Sequence, residues 1–198
     1  MPQDSQDSRY LAHFTKGDNA YGDLVSILGE GIIRAGNLPW TNRPATCFTE
    51  CPWSSLIKHA RNYSPYGVGF GKHHVFSAGG GPAYYVRADL FETQQWTDEV
   101  YPFVTPFWPA YRPKHLRAEE YLTGKTIDYL HEREWRVPHD FEFDIRRLSF
   151  VILDTYEDMA RFPRELKDAI GREKFILMDV YRKIEELWPT HIMERDDG

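Results

Sequence analysis

Short runs with strand-like alternation keep giving way to stretches of helical periodicity along this chain, and that interleaving constrains the fold more than any single motif. Residues 148–153 (LSFVIL) form the clearest buried strand, residues 158–171 follow as a helix interrupted near Pro163, and residues 175–180 (FILMDV) read as a last apolar strand. Towards the other end, residues 10–15 (YLAHFT) alternate as a strand. Residues 19–31 then read as a helix, because Leu24, Ile27, Leu28 and Ile32 recur at three- and four-residue spacing. Asp18 or Asn19 can cap its start, and Gly31 can end it in the left-handed conformation.

Between these ends, residues 36–44 read as loop and 45–49 (ATCFT) as a short strand. Pro52 opens a second helix running through Leu56 and Ile57 to Asn62, since proline suits a first helical turn. Residues 66–70 and 83–86 read as strands separated by a glycine turn at 79–81. Residues 96–113, rich in proline and aromatics, read as an irregular segment, a lid or a partner surface. Residues 119–131 read as helix and 134–138 (EWRVP) as strand. There is no internal repeat and no compositional shift that marks a linker. The expectation is one α+β domain over residues 9–189, with a disordered leader at 1–8 and a frayed tail at 190–198.

Composition narrows the partners. Apolar residues at 41% and charged residues at 27% allow a packed core. A net charge of −6 argues against a nonspecific nucleic-acid binder, which needs a basic surface to displace counterions from phosphates. No apolar run approaches the roughly 18 residues that would span a bilayer. The polar, acidic start has neither the basic nor the apolar region of a secretory signal, so the reading is cytoplasmic. Cys47 and Cys51, four apart, lack the further ligands that a structural zinc site needs, and His73 and His74 would point to opposite sides of a strand; no metal is expected.

Four local signals bear on chemistry. His13 and Thr15 share one strand face and could meet one ligand. Thr49 and Glu50 enter the Pro52 helix, where they can serve as caps or as ligand contacts. Residues 66–72 (YGVGFGK) alternate glycine with bulky residues, which suggests close backbone approach, although the spacing to Lys72 is not that of a P-loop. Glu132, Glu134 and Arg136 would share a face of one strand, either as a solvated ion-pair ladder or as a carboxylate aimed at a developing cation.

Taken in order, HFT, ILxxGI, CFTE-x-P, YGVGF-x-K and EWR resemble the AbiGi-type abortive-infection family of bacteria and related bacterial domains, over roughly residues 10–140. A more distant likeness is to DarT-type DNA ADP-ribosyltransferases. That resemblance implies an ADP-ribosyltransferase-like split sheet with flanking helices. It makes the protein an effector of a phage-defence or toxin–antitoxin system that cleaves the nicotinamide–ribose bond of NAD and passes ADP-ribose to a macromolecule. His13 and Thr15 then match positions that hold NAD, with Thr49, Tyr66 and Phe70 as further contacts, and Glu134 matches the catalytic glutamate. Nicotinamide leaves as a neutral group, so the enzyme must stabilise an oxocarbenium-like ribose; Glu134 would do that and Glu132 would deprotonate the acceptor. Two alternatives share the fold: an NAD glycohydrolase, and a noncatalytic antitoxin or sensor module whose docking surface would be the proline- and aromatic-rich segment around Tyr101 to Tyr111, with a cognate antitoxin or defence protein as partner.

Overall fold

The computed structural model describes residues 9–50, 63–107 and 132–187. The expected leader and tail, the Pro52 helix with Cys51, and the 119–131 helix lie outside the described residues. The chain is α+β, and it gathers into two compact units: residues 1–32, 51–71 and 143–198 in the first, 33–50 and 72–142 in the second. Each unit is built from separated stretches of sequence, so no linker composition announces the division.

The first unit carries a sheet in the order β12 (Phe175–Leu177), β11 (Phe150–Leu153), β5 (Gly67–Gly71), β1 (Tyr10–Phe14). β1 and β11 both run antiparallel to β5, while β11 and β12 are parallel. A parallel pair needs a crossover connection. Helices α4 (Tyr156–Arg161) and α5 (Arg164–Ile170) supply it, divided at Pro163 as the sequence suggested. Leu11, Val68, Phe70, Val151, Ile152 and Leu153 are fully buried and make the sheet's contribution to the core.

Helix α1 (Ala20–Glu30) buries Ala20, Leu24 and Leu28. Its end is set by Gly31 at φ 68°, whose N–H reaches Ile27 O. A Cβ there would lie 2.9 Å from Phe143 O, so the position is closed to other residues by space as well as by dihedral. Asn19 occupies the N-cap position, but its side chain donates to Asp23 instead of capping. The alternating glycines of β5 also find their reason here. A Cβ on Gly69 would fall inside the ring of Phe150 from the neighbouring strand. What approaches the backbone so closely is the core itself.

The second unit centres on β4 (Pro44–Thr49), which pairs antiparallel with β3 (Gly36–Asn37) on one side and with β9 (Glu134–Val137) on the other; β6 (Gly81–Pro82) pairs with β9. A separate parallel pair joins β7 (Tyr84–Arg87) to β8 (Val104–Phe107). The described residues also include short strands β2 (Ile32–Ile33) and β10 (Phe141–Glu142), helices α2 (Lys72–Ser77) and α3 (Ala88–Phe91), and a 3-10 turn at Tyr101–Phe103.

Several sequence expectations are corrected. Residues 36–44 are a tight hairpin, not open loop, turned through Asn42 at φ 51°. His73 and His74 lie on helix α2, not on a strand. Within the segment read as irregular, Val104–Phe107 is a strand, because its β7 partner supplies hydrogen bonds that periodicity cannot reveal. The last strand stops at Leu177, and Met178–Leu187 is helix α6. Among the described residues no helix is long and apolar enough to cross a membrane, and no group of three His, Cys, Asp or Glu could hold a metal ion.

Candidate functional site: the two faces of strand β9

Alternation along β9 puts Glu134 and Arg136 on one face and Trp135 on the other. The strand begins abruptly. Arg133 has φ 45°, a left-handed backbone that breaks the extended run, and Glu132 stands before that break. Strand alternation therefore does not relate Glu132 to Glu134, although both carboxylates act on Cys47 and Tyr85.

On the first face, Arg136 is 0% exposed and its guanidinium is fully engaged. Nε donates to Glu134 Oε1 at 2.9 Å and Nη2 to Glu134 Oε2 at 2.8 Å. Nη1 donates to Pro102 O at 3.1 Å and Val104 O at 3.2 Å, and Nη2 also donates to Thr105 Oγ1 at 2.5 Å. That accounts for all five N–H donors of the group. Its flat face lies 5.7 Å from the Trp40 ring centre, and the Trp40 indole in turn donates to Val104 O. A buried charge is tolerated only when paired and hydrogen-bonded, and this one is both.

Glu134, with 12% of its side chain exposed, is correspondingly occupied. The Cys47 thiol, directly across from Arg136 in the ladder, hydrogen-bonds to the same carboxylate. Burial, then the negative charge of Glu134, pushes that thiol well above the usual range. Tyr85 is raised for the same two reasons in the same order. Both groups are therefore held neutral against a carboxylate.

The opposite face carries a cluster that sequence reasoning did not assemble. Glu50, at 6% side-chain exposure, receives Lys72 Nζ at 2.8 Å and Arg133 Nη2 at 2.7 Å, both at Oε1, while the Trp135 indole donates to Oε2 at 3.3 Å. The contacts on Oε1 are ion pairs without the alignment of hydrogen bonds. Lys72 Nζ also lies 5.8 Å from the Trp135 ring centre. The signal was present: Glu50 closes CFTE, Lys72 closes YGVGF-x-K, and Arg133 and Trp135 bracket the start of EWR. Three motifs far apart in sequence end at one point in space.

The remaining candidates fall in the first unit, whereas Glu132, Glu134 and Thr49 belong to the second. Thr49 is buried and its hydroxyl donates to Glu132 O at 2.5 Å. His13 is half-buried on β1 opposite Val68. Thr15 is buried; its hydroxyl donates to Ala20 O at 2.8 Å and lies 3.2 Å from Ser64 Oγ. Phe70 is fully buried, 4.9 Å edge-to-face from Phe143.

Tyr66 donates to Asp158 Oδ2 at 3.0 Å; burial, then Asp158, pushes its phenol up to about 12. Asp158 meanwhile closes the capping box of α4 with Thr155 and holds Arg161. Burial works against its charge, and hydrogen bonds from Arg161, Thr155 and Tyr66 outweigh that and keep its carboxyl below the usual range.

Comparison with known family profiles finds a match over part of the chain. Residues 33–105 fit the profile of a family described as "Putative abortive phage resistance protein AbiGi, antitoxin". The stretch runs from Ile33 to Thr105, within β8, and includes Glu50 and Lys72; it stops short of β9. It covers less than half of the chain, so the similarity is to that region alone. No curated protein and no solved structure matches the chain.

Proposed function

We propose that this protein is a partner-binding component of an abortive-infection system, antitoxin-like in action. The observation that carries this reading is the closure of Glu134 in the Arg136 fork. The strand on which catalysis would rest is used instead to fasten residues 102–105 to the sheet. A carboxylate that must stabilise an oxocarbenium-like centre needs to face the substrate with its charge uncompensated. Here that charge is met by a buried guanidinium, and Thr15, Thr49 and Phe70 make internal contacts. The similarity of residues 33–105 to an antitoxin family supports the same direction.

The experiment couples two assays. The reading frame adjacent to this one is expressed alone and together with this protein, and growth is followed. Arrest by the neighbour and recovery on co-expression, with the two proteins purifying as a complex, is the expected result. In parallel, purified protein is incubated with NAD and cell lysate. The expected result is no nicotinamide release. Release above background would favour the enzymatic alternative, an ADP-ribosyltransferase-like core with Glu134 as catalytic carboxylate. Labelling of a macromolecule from radiolabelled NAD would then separate transfer from plain NAD hydrolysis.

A further inference from the structure

We infer that the solvent face of helix α6 is the seam of a homodimer, in which α6 of a second copy of this chain packs antiparallel across a two-fold axis beside Ile184. An amphipathic helix ordinarily turns its apolar stripe towards the core it covers. α6 does the reverse. It follows β12, an end strand of its sheet, and buries Met178 completely. Its half-buried side carries Asp179, Tyr181 and Arg182, with Arg182 paired to Asp154. Val180, Ile184 and Leu187 stand between about 180° and 240° round the helix from Met178. They are 48%, 54% and 83% exposed. Steps of four and then three residues are those of a heptad seam, the pattern by which one helix packs on another.

Charge names the occupant. Lys183 and Glu186 lie on one flank of the stripe, both exposed, and neither has an ion-pair partner among the described residues. A two-fold axis between antiparallel helices turns each flank towards its own copy with the direction reversed. With the axis between residues 184 and 185, Lys183 and Glu186 lie equally far from it on either side. Lys183 therefore faces Glu186 of the second copy, and Glu186 faces its Lys183. The same axis interleaves the apolar residues at intervals of about 1.5–3 Å along the helix. Their order becomes Val180, the second copy's Leu187, Ile184, the second copy's Ile184, Leu187, and the second copy's Val180. A parallel pair would turn Lys183 towards the flank that carries Tyr181, so the charges select the antiparallel arrangement. The contact stands independently of the partner-binding reading. Growth rescue from a neighbouring protein tests that reading, whereas self-association of the purified chain tests this one.

The test is sedimentation velocity of the full chain at low salt, from about 1 µM to about 500 µM, the range in which a contact of small area associates. The parent should pass from monomer to dimer with a dissociation constant on the order of 10–100 µM. Ile184→Asp sets a carboxylate in the seam at a solvent-exposed position and should weaken the dimer about tenfold or more. Lys183→Glu and Glu186→Lys should each weaken it about fivefold, since like charges then meet twice across the axis. Mixed together, those two variants carry opposite charges on the facing flanks and should form a heterodimer as tight as the parent dimer. The double variant should likewise recover the parent's affinity. Circular dichroism at dilute concentration checks that each variant is folded, and the mixing arm depends only on exposed side chains. A parent that stays monomeric at the highest concentration overturns the proposal. So does an Ile184→Asp dimer as tight as the parent's, or a pair of charge variants that fails to recover on mixing.

Discussion

The two faces of β9 hold their cations in opposite ways. Arg136 has every donor satisfied within the protein and no exposed surface, whereas Lys72 and Arg133 crowd one buried carboxylate and keep part of their charge in solvent. Cations gathered about one strand thus belong to different physical regimes. On the sealed face a guanidinium serves as a clamp between chain segments. On the other face, two partly exposed cations gather at one buried carboxylate. The lesson is that a charged motif such as Glu-Arg-Glu-Trp-Arg cannot be read as one unit, because the left-handed break at Arg133 and the pleat after it divide the motif between environments of different dielectric.

The contrast is most easily broken at Arg136. Arg136→Ala would strand Glu134 without its counter-charge and leave a void, and the expected loss is about 3–5 kcal/mol in urea unfolding. Arg136→Lys should recover little of it, since one ammonium cannot reproduce a five-donor fork. A loss of under about 1 kcal/mol for Arg136→Ala would mean that the face is not sealed at all. Glu134→Gln comes next, with an expected loss of about 1.5–3 kcal/mol, the range for hydrogen bonds to charged groups. A variant as stable as the parent would release Glu134 from its structural role and return it to catalytic candidacy.

The open face should respond far less. Lys72→Met and Arg133→Gly are each expected within about 1 kcal/mol of the parent by the same unfolding measurement, as for partly solvated ion pairs. A larger cost would place these cations among the clamps. Thiol chemistry sharpens the sealed side further. Cys47 should react slowly with iodoacetamide at pH 8 in the folded protein, because only the thiolate attacks and burial and Glu134 both disfavour it. The reaction should quicken in Glu134→Gln under conditions where that variant remains folded.

The response to alkaline pH has a definite sign. Cys47, Tyr85 and Tyr66 all have folded-state values raised above the ordinary ones. Their contribution to stability is fully present below the unfolded values, roughly 8.5 for a thiol and 10 for a phenol. Above those values the unfolded chain ionises first, so stability falls as pH rises. For Tyr66 the window runs from 10.0 to about 12. A midpoint of urea unfolding that stays level from pH 8 to pH 11 would contradict these assignments.

Much of the first unit was legible beforehand. β1, α1 with its Gly31 terminus, β11, and the helix broken at Pro163 follow from apolar spacing and from the two residues with the most restricted or most permissive backbones. α6 was misread at its start because FILMDV is apolar throughout, and a short apolar run does not declare its own period. In the second unit, β4 and β9 were legible from their alternation, while β3 and β8 exist because a partner strand is there to pair with them.

Sequence by itself determined that this chain is α+β, where most of its longer elements lie, and which motifs hold its charged and glycine-rich residues. Local periodicity, proline and glycine act within a few residues, so they are visible without knowing the fold. Only the tertiary structure decided that the Glu134–Arg136 pair is sealed from solvent, that Gly69 makes room for Phe150, and that Lys72 and Arg133 meet at one oxygen of Glu50. Those contacts join residues up to 83 positions apart (Glu50 to Arg133, 133 − 50). Whether a charge ends up sealed or open is a property of what packs over it, and that is set by distant chain.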